Sequence, residues 1–250
     1  YRTPKTLKDN HDEYEFLKEL NADLAIVCAY GQIIPENFLN LTKKGFVNIH
    51  ASILPSWRGA APIQRSIMNL DPETGISIMK IKKELDSGPV SNIYKIKIDQ
   101  NQNAQEISEK LSALAAEKIL DNVDDILEDK AKFIDQDHSK ATYAKKIDKE
   151  ESRIDWDEDA SKIIGKINGL FPSPGASFSF NGERYKILKA EIGNGIGQVG
   201  EIISNQLEVA CNKNQSIKIL EIQRQGKRPQ KISEFMLGSQ IKKGSKLSNV

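Results

Sequence analysis

Phe46-Val47-Asn48-Ile49-His50-Ala51-Ser52-Ile53-Leu54-Pro55 decides how this chain is read. Apolar and polar residues alternate with period two from Phe46 to His50, which predicts a strand. That period puts Asn48 and His50 on one face and Ile49 on the other. A Ser/Pro loop follows, so both polar groups fall at the strand's C-terminal end, where open α/β sheets bind ligands. Further on, Leu85-Asp86-Ser87-Gly88-Pro89 reads as a turn-rich loop between apolar runs. An amide, an imidazole and a carboxylate in one cleft can stabilise a developing oxyanion and move a proton during attack on a carbonyl.

Working outward, residues 24–29 form a continuous apolar run, expected as a strand covered on both faces. Residues 76–81 and 90–98 read as further strands. Ile63, Ile67 and Leu70 recur at helical spacing behind Pro62, which suits a first turn. Ile107, Leu111, Leu114, Ile119, Val123 and Ile126 trace one stripe of a helix over residues 104–128. Strands alternating with helices predict an α/β domain with a largely parallel sheet. The first twenty residues read as a charged helix feeding the strand at 24–29, the second half of a βαβ unit. The expectation is that an opening strand precedes Tyr1, and that the chain alone is less stable and less active than one carrying it.

The pattern changes after residue 130. Residues 131–150 are polar, mixed in charge and read as a linker. A short helix with Ile163, Ile164, Ile167 and Leu170 is stopped by Pro172 and Pro174-Gly175. β signals then dominate: 176–180, the Asn181-Gly182 turn, 184–192, 199–204, 207–211 and 217–222. Strands at this spacing predict a small barrel or sandwich.

Composition narrows the functional classes. The chain has 250 residues, 38% hydrophobic and 28% charged, with a formal net charge of +1. Bulk charge therefore gives no sign of a nucleic-acid binder, and a basic face must be local. Basic residues gather late, at Arg224, Lys227, Arg228, Lys231, Lys242, Lys243 and Lys246; such a run is commonly a solvated surface. Cys28 and Cys211 are too few for a disulfide framework and read as buried free thiols in a reducing cytosol. No apolar stretch approaches the ~18 residues of a membrane span. Gly195-Ile196-Gly197-Gln198-Val199-Gly200 matches a dinucleotide fingerprint in spacing alone. Strands, not a helix, are expected after it, so it reads as a hairpin loop. His11 and His138 read as solvated, and His50 lacks the company of a metal site.

The segment 52–64, Ser-Ile-Leu-Pro-Ser-Trp-Arg-Gly-Ala-Ala-Pro-Ile-Gln, closely resembles the signature of the folate-dependent formyltransferases. Asn48-Ile49-His50 before it and Leu85-Asp86-Ser87-Gly88 after it stand where that family keeps its Asn, His and Asp. Ala141-Thr142-Tyr143-Ala144, Arg153-Ile154-Asp155-Trp156 and Phe171-Pro172-Ser173-Pro174-Gly175-Ala176 resemble its tRNA-directed members. Ile53 departs from the more common Leu, a volume-conserving change.

The resemblance implies a Rossmann-like, mostly parallel catalytic domain over residues 1–130, incomplete at its N-terminus. It implies a linker over 131–150 and an OB-like β-barrel tRNA-binding domain over 151–250. A basic loop that helps hold the tRNA acceptor end would precede Tyr1. The implied co-substrate is 10-formyltetrahydrofolate, contacted by Ser52, Ile53, Leu54 and Pro55, with no metal. Asn48, His50 and Asp86 would be catalytic, and Lys227, Arg228 and Lys231 would meet the acceptor, an initiator methionyl-tRNA. Arg58 would serve either the folate's acidic tail or a local bond. A monomer is expected, in the cytoplasm of a bacterium or alternatively in an organelle. The competing readings are a sugar-nucleotide amine formyltransferase, a formyltetrahydrofolate hydrolase and a non-catalytic RNA-binding remnant.

Overall fold

A computed structural model describes residues 1–247. The last three residues of the C-terminal domain expected over 151–250 lie outside the described residues. In chain order the elements are α1 (His11–Glu19), β1 (Ala25–Cys28), α2 (Glu36–Leu39), β2 (Phe46–His50), β3 (Arg58–Gly59), α3 (Pro62–Met68), β4 (Glu73–Lys80) and β5 (Val90–Lys97). Then come α4 (Ala104–Leu127), β6 (Tyr143–Ala144), α5 (Ala160–Gly169), β7 (Ser177–Phe180), β8 (Glu183–Ile192), β9 (Glu208–Cys211), β10 (Gln215–Arg224), β11 (Gln230–Lys231) and α6 (Ile232–Gly238). Two compact units emerge. One comprises Tyr1–Pro62, Glu73–Lys97 and Glu109–Lys146; the other comprises Ile63–Pro72, Ile98–Ser108 and the chain from Ile147 onward.

The first unit is built on a four-stranded sheet in the order β1-β2-β4-β5. The α/β class is as expected, but the pairing is mixed. β1 and β2 are parallel, joined through α2, whereas β2–β4 and β4–β5 are antiparallel. The β4–β5 connection has no crossover helix, so the chain can only turn straight back. Val47, Ile78 and Ile126 of α4 pack together beneath the sheet, with Tyr94 and Phe133 against them. Asn103 begins α4 with a reciprocal cap: its side chain accepts from Glu106 N at 3.0 Å, and Glu106 Oε2 accepts from Asn103 N at 2.9 Å.

Three expectations fail in this unit. The leading helix starts only at His11, where Asn10 Oδ1 accepts from Glu13 N at 3.2 Å and sets the boundary. β1 is not covered on both faces: it pairs with β2 alone among the described residues, and Ile26 is 46% exposed. Cys28 is accordingly an exposed thiol. Residues 131–146 are not a loose linker either. Val90 and Ile134 exchange both backbone bonds, at 2.8 and 2.9 Å, and β6 pairs in parallel with β3. Apart from buried Gln136, their polar side chains are exposed while their backbone joins the unit.

The second unit is sheet-rich, as expected. Five antiparallel strands run in the order β11-β10-β8-β7, with β9 also on β10. Phe180 pairs with Glu183 across the Asn181-Gly182 turn, the hairpin read from the sequence. The core gathers Trp156, Ile163, Ile167, Leu170, Ile187, Val209, Ile217 and Ile222 around α5 and the sheet. The strand expected at 199–204 is reduced to single bridges at Glu201 and Ile202. The pairings among the described residues do not close a barrel. Cys211 is buried as expected, and burial pushes its thiol up to about 12.

Candidate active site

β2 is the strand the alternation predicted, residue for residue. Val47 packs into the core, and Asn48 and His50 take the other face. His50 is buried, and its Nε2 lies 2.9 Å from the Trp57 carbonyl oxygen. A carbonyl only accepts, so Nε2 carries the hydrogen and the neutral ring presents its Nδ1 lone pair. That Nδ1 is 3.7 Å from Asp86 Oδ2, an ion-pair distance but too long for a hydrogen bond. Protonation at Nδ1 would place the imidazolium charge beside the carboxylate. Asn48 is half-buried, and its side chain makes no hydrogen bond among the described residues.

The loop after β2 is rigid. Ser52 is fully buried; its Oγ donates to Ser56 O at 2.6 Å, and its own carbonyl accepts from Ser77 Oγ at 2.7 Å. Ser77 Oγ in turn accepts from Leu54 N at 3.1 Å. Leu54 is buried against Met79 and Val90, Pro55 O accepts from Thr142 N at 3.3 Å, and Ile53 is half-buried. Ser77 of β4 and Thr142, just before β6, thus hold the loop from positions distant in sequence.

The loop ends in β3, which is stitched to β6: Arg58 N donates to Thr142 O and Ala60 N to Ala144 O, each at 2.9 Å. Gly59 has φ +120°, and a Cβ there would come 2.8 Å from Ala144 O. Its N–H donates to Asp86 Oδ2 at 2.8 Å. Arg58 is 3% exposed and is engaged locally, to Gln136 Oε1 at 3.1 and 2.7 Å and to His138 Nδ1 at 3.2 Å. His138 is therefore exposed, as expected, but not merely solvated. Gln136, which no sequence motif marked, is buried and also donates to Asp86 O and Gly88 O, at 2.9 and 2.7 Å.

Asp86 reaches His50 by an unexpected route. Lys80, at the foot of its loop, is in register with Val47, and His50 with Ser77. The loop therefore leaves from the far end of β2, three strand residues or ~10 Å from His50. It folds back over the sheet, and the site lies on the sheet face rather than wholly beyond the strand ends. At that far end a groove of about 870 Å³ is lined by Phe46, Lys44, Lys80 and Lys82 among others; it contains none of the three polar residues. Among the described residues no cluster of three or more His, Cys, Asp and Glu side chains is gathered for a metal, and no helix is long and apolar enough to cross a membrane.

In the second unit, Lys227 and Arg228 stand in the exposed turn between β10 and β11, and exposed Lys231 ends β11. None of the three forms an ion pair among the described residues, whereas Arg224 pairs with Glu183. The glycine loop is occupied from within. Glu208 Oε1 accepts from Asn194 N at 3.1 Å, Gly195 N at 2.8 Å and Ser216 Oγ at 2.7 Å. Burial alone would raise this carboxyl, but those bonds outweigh it and hold it below the ordinary value. Bridges and β9, not a helix, follow the loop, so the fingerprint reading fails on structure as it did on sequence.

Comparison with known proteins identifies the family. Residues 2–123 match the formyl transferase family, and residues 146–240 match the formyl transferase C-terminal domain. A methionyl-tRNA formyltransferase of Pelagibacter ubique (strain HTCC1062) is 66% identical over 249 residues, covering 100% of this chain and 80% of the relative. One from Dictyoglomus turgidum (strain DSM 6724 / Z-1310) is 41% identical, covering 98% and 81%. HypX from Aquifex aeolicus, solved in complex with tetrahydrofolic acid, superposes with a TM-score of 0.69 at 19% identity, over 92% of this chain and 41% of its own. WlaRD, a sugar 3N-formyl transferase, gives 0.68 at 21%, over 85% and 77%. These structural likenesses are ones of fold; the sequence identities carry the relationship. The chain belongs to the formyl transferase family, in its methionyl-tRNA formyltransferase branch.

Proposed function

We propose that this chain transfers the formyl group of 10-formyltetrahydrofolate to the α-amino group of initiator methionyl-tRNA, with Asn48, His50 and Asp86 as the catalytic residues. The observation that carries the chemistry is His50 Nδ1 facing Asp86 Oδ2 at 3.7 Å while Nε2 is committed to Trp57. The 66% identical relative's name supports the acceptor.

The residues fit a formyl-bearing folate on one point: Asn48 offers an amide donor with no hydrogen-bond partner among the described residues, on the strand face of His50. 10-Formyltetrahydrofolate supplies the formyl carbon. Half-buried Ile53 and Pro55 would offer it an apolar wall, with Ser52 and Leu54 buried behind them holding the loop in shape.

The nucleophilic amine must be neutral, and α-amino groups titrate near pH ~8. Asn48 donates to the negative charge that develops on the formyl oxygen; one such donor is typically worth about 100- to 1000-fold in rate. His50 Nδ1 takes the proton released as the new N–C bond forms. Asp86 stabilises the resulting imidazolium, which returns the proton to the departing nitrogen as the old C–N bond breaks. No covalent enzyme intermediate is needed.

Lys227, Arg228 and Lys231, unpaired and exposed, would meet tRNA phosphates from the C-terminal domain. The protein would act as a cytoplasmic monomer. The test is an assay of the purified protein with 10-formyltetrahydrofolate and either charged initiator tRNA, a nucleotide-linked amino sugar or water. Formylmethionyl-tRNA should form far faster than either alternative product. Transfer to the amino sugar alone, hydrolysis at an equal rate, or no reaction would overturn the reading.

A further inference from the structure

We propose that Gln136 is a positioning residue for formyl transfer, one that fixes Asp86 against the sheet face and ties it to the segment that also aligns His50. This rests on the reading of Asp86 as the carboxylate that serves His50.

The Asp86 loop has an inherent difficulty. It starts beside Val47 and must deliver a carboxylate to His50 at the other end of the strand. A surface loop held only at its feet would scatter that carboxylate over several ångströms, and rate falls about 100-fold for a 1 Å misplacement. Asp86 also has φ +45°, a backbone conformation uncommon outside glycine, which the surroundings must hold.

One buried side chain answers both needs. The two hydrogens of the Gln136 amide go to the carbonyls of Asp86 and Gly88, at 2.9 and 2.7 Å. Both are main-chain groups, so the bonds fix the path of the loop and leave the carboxylate for chemistry. Gln136 Oε1 accepts twice from Arg58, whose neighbours complete the arrangement. Trp57 O receives the His50 Nε2 hydrogen, and Gly59 N–H is given to Asp86 Oδ2. Three consecutive residues, Trp57, Arg58 and Gly59, therefore index His50, Gln136 and Asp86 to one another. β6 anchors the segment from behind.

The choice of an amide is informative. Arg58 is buried with no carboxylate at ion-pair distance among the described residues. A Glu at 136 would pair with it more strongly. It would, however, have no hydrogens for the two carbonyls. Only a side chain with an acceptor at one end and two donors at the other satisfies both sides, which Gln does and Glu does not.

Gln136→Glu separates the two roles, because it keeps the Arg58 partner and removes the donors. Its kcat should fall about 10- to 100-fold while the KM for 10-formyltetrahydrofolate stays within about twofold. Two carbonyls lose their donor, so the melting temperature should fall by a few degrees, too little to deplete the folded enzyme at the assay temperature. Gln136→Asn, which keeps the amide on a shorter stem, should lie between the two in kcat and covers the case in which the Glu variant folds poorly. In an Asp86→Asn background the Glu substitution should have no further effect, because the two act as one unit. Wild-type kcat in a folded Gln136→Glu, a loss matching the loss of folded protein, or an equal loss in the Asp86→Asn background would overturn the proposal. Normal turnover in Asp86→Asn and Asp86→Ala would remove the reading of Asp86 beneath it, whatever Gln136 does.

Discussion

Asp86 meets His50, Oδ2 to Nδ1 at 3.7 Å, from a loop whose foot is in register with the opposite end of the His50 strand. The contact spans thirty-six residues of sequence and joins the last residue of a strand to a residue of a loop. It exists because Gly59 N–H and the Gln136 amide draw the loop back over the sheet. The chemistry proposed for the pair follows from which imidazole nitrogen is left to face the carboxylate.

His50→Ala and Asn48→Ala should each lower turnover at least about 100-fold, with the KM for 10-formyltetrahydrofolate changing far less. Steady-state kinetics with saturating tRNA measures both. Near-normal turnover in either variant would remove that residue from the mechanism.

Replacing Lys227, Arg228 and Lys231 with Ala together should weaken tRNA binding and flatten its salt dependence. Each lost phosphate contact should lower the magnitude of the log–log slope by about 0.7–0.9. Folate binding should be untouched. A titration across salt concentrations checks this, and an unchanged slope would make the cluster a solvated face.

Gly59→Ala should destabilise the chain by on the order of 1–3 kcal/mol, since φ +120° and the Ala144 carbonyl both oppose a Cβ. The loss in activity should exceed the loss in folded fraction, because the Gly59 N–H that holds Asp86 moves with the strand. Chemical denaturation and kcat measured on one preparation test it. A stability equal to that of the parent would mean β3 and β6 separate at little cost.

Much of the strand that carries Asn48 and His50 was legible in advance, because a five-residue alternation with two polar groups on one face carries its own register. The partners were not. β3 and β6 are two residues long, too short for any periodicity, and they pair across more than eighty positions. Gln136 sits in a polar stretch that resembles a linker until the backbone bonds of Ile134 to Val90 and the bonds of the Gln136 amide to the Asp86 loop are known. The mixed sheet escaped for a related reason: alternating strands and helices do not specify that β4 and β5 turn back without a helix. Cys28 was misplaced because an apolar strand at a sheet edge reads like one at its centre.

Glu208 makes a pH prediction with a definite sign. Its carboxyl is lower in the folded chain than its ordinary 4.5, so its stabilisation is complete above that value and fades as pH falls through the lower folded value. Glu208→Gln should cost about 1–3 kcal/mol at neutral pH, and the two melting curves should converge in acid. Parallel curves at every pH would show that the charge contributes nothing.

That same carboxylate gives the glycine loop a different meaning from its spelling. Amides that converge around a loop invite an anion, and elsewhere the guest is a phosphate brought from solution. Here the guest is built into the chain at the head of β9, the next strand, and arrives with folding. A visiting nucleotide would find the seat taken by a like charge. Three glycines at this spacing are thus an empty chair in one protein and a clasp already closed in another, and the neighbour at position 208 shows which this one is.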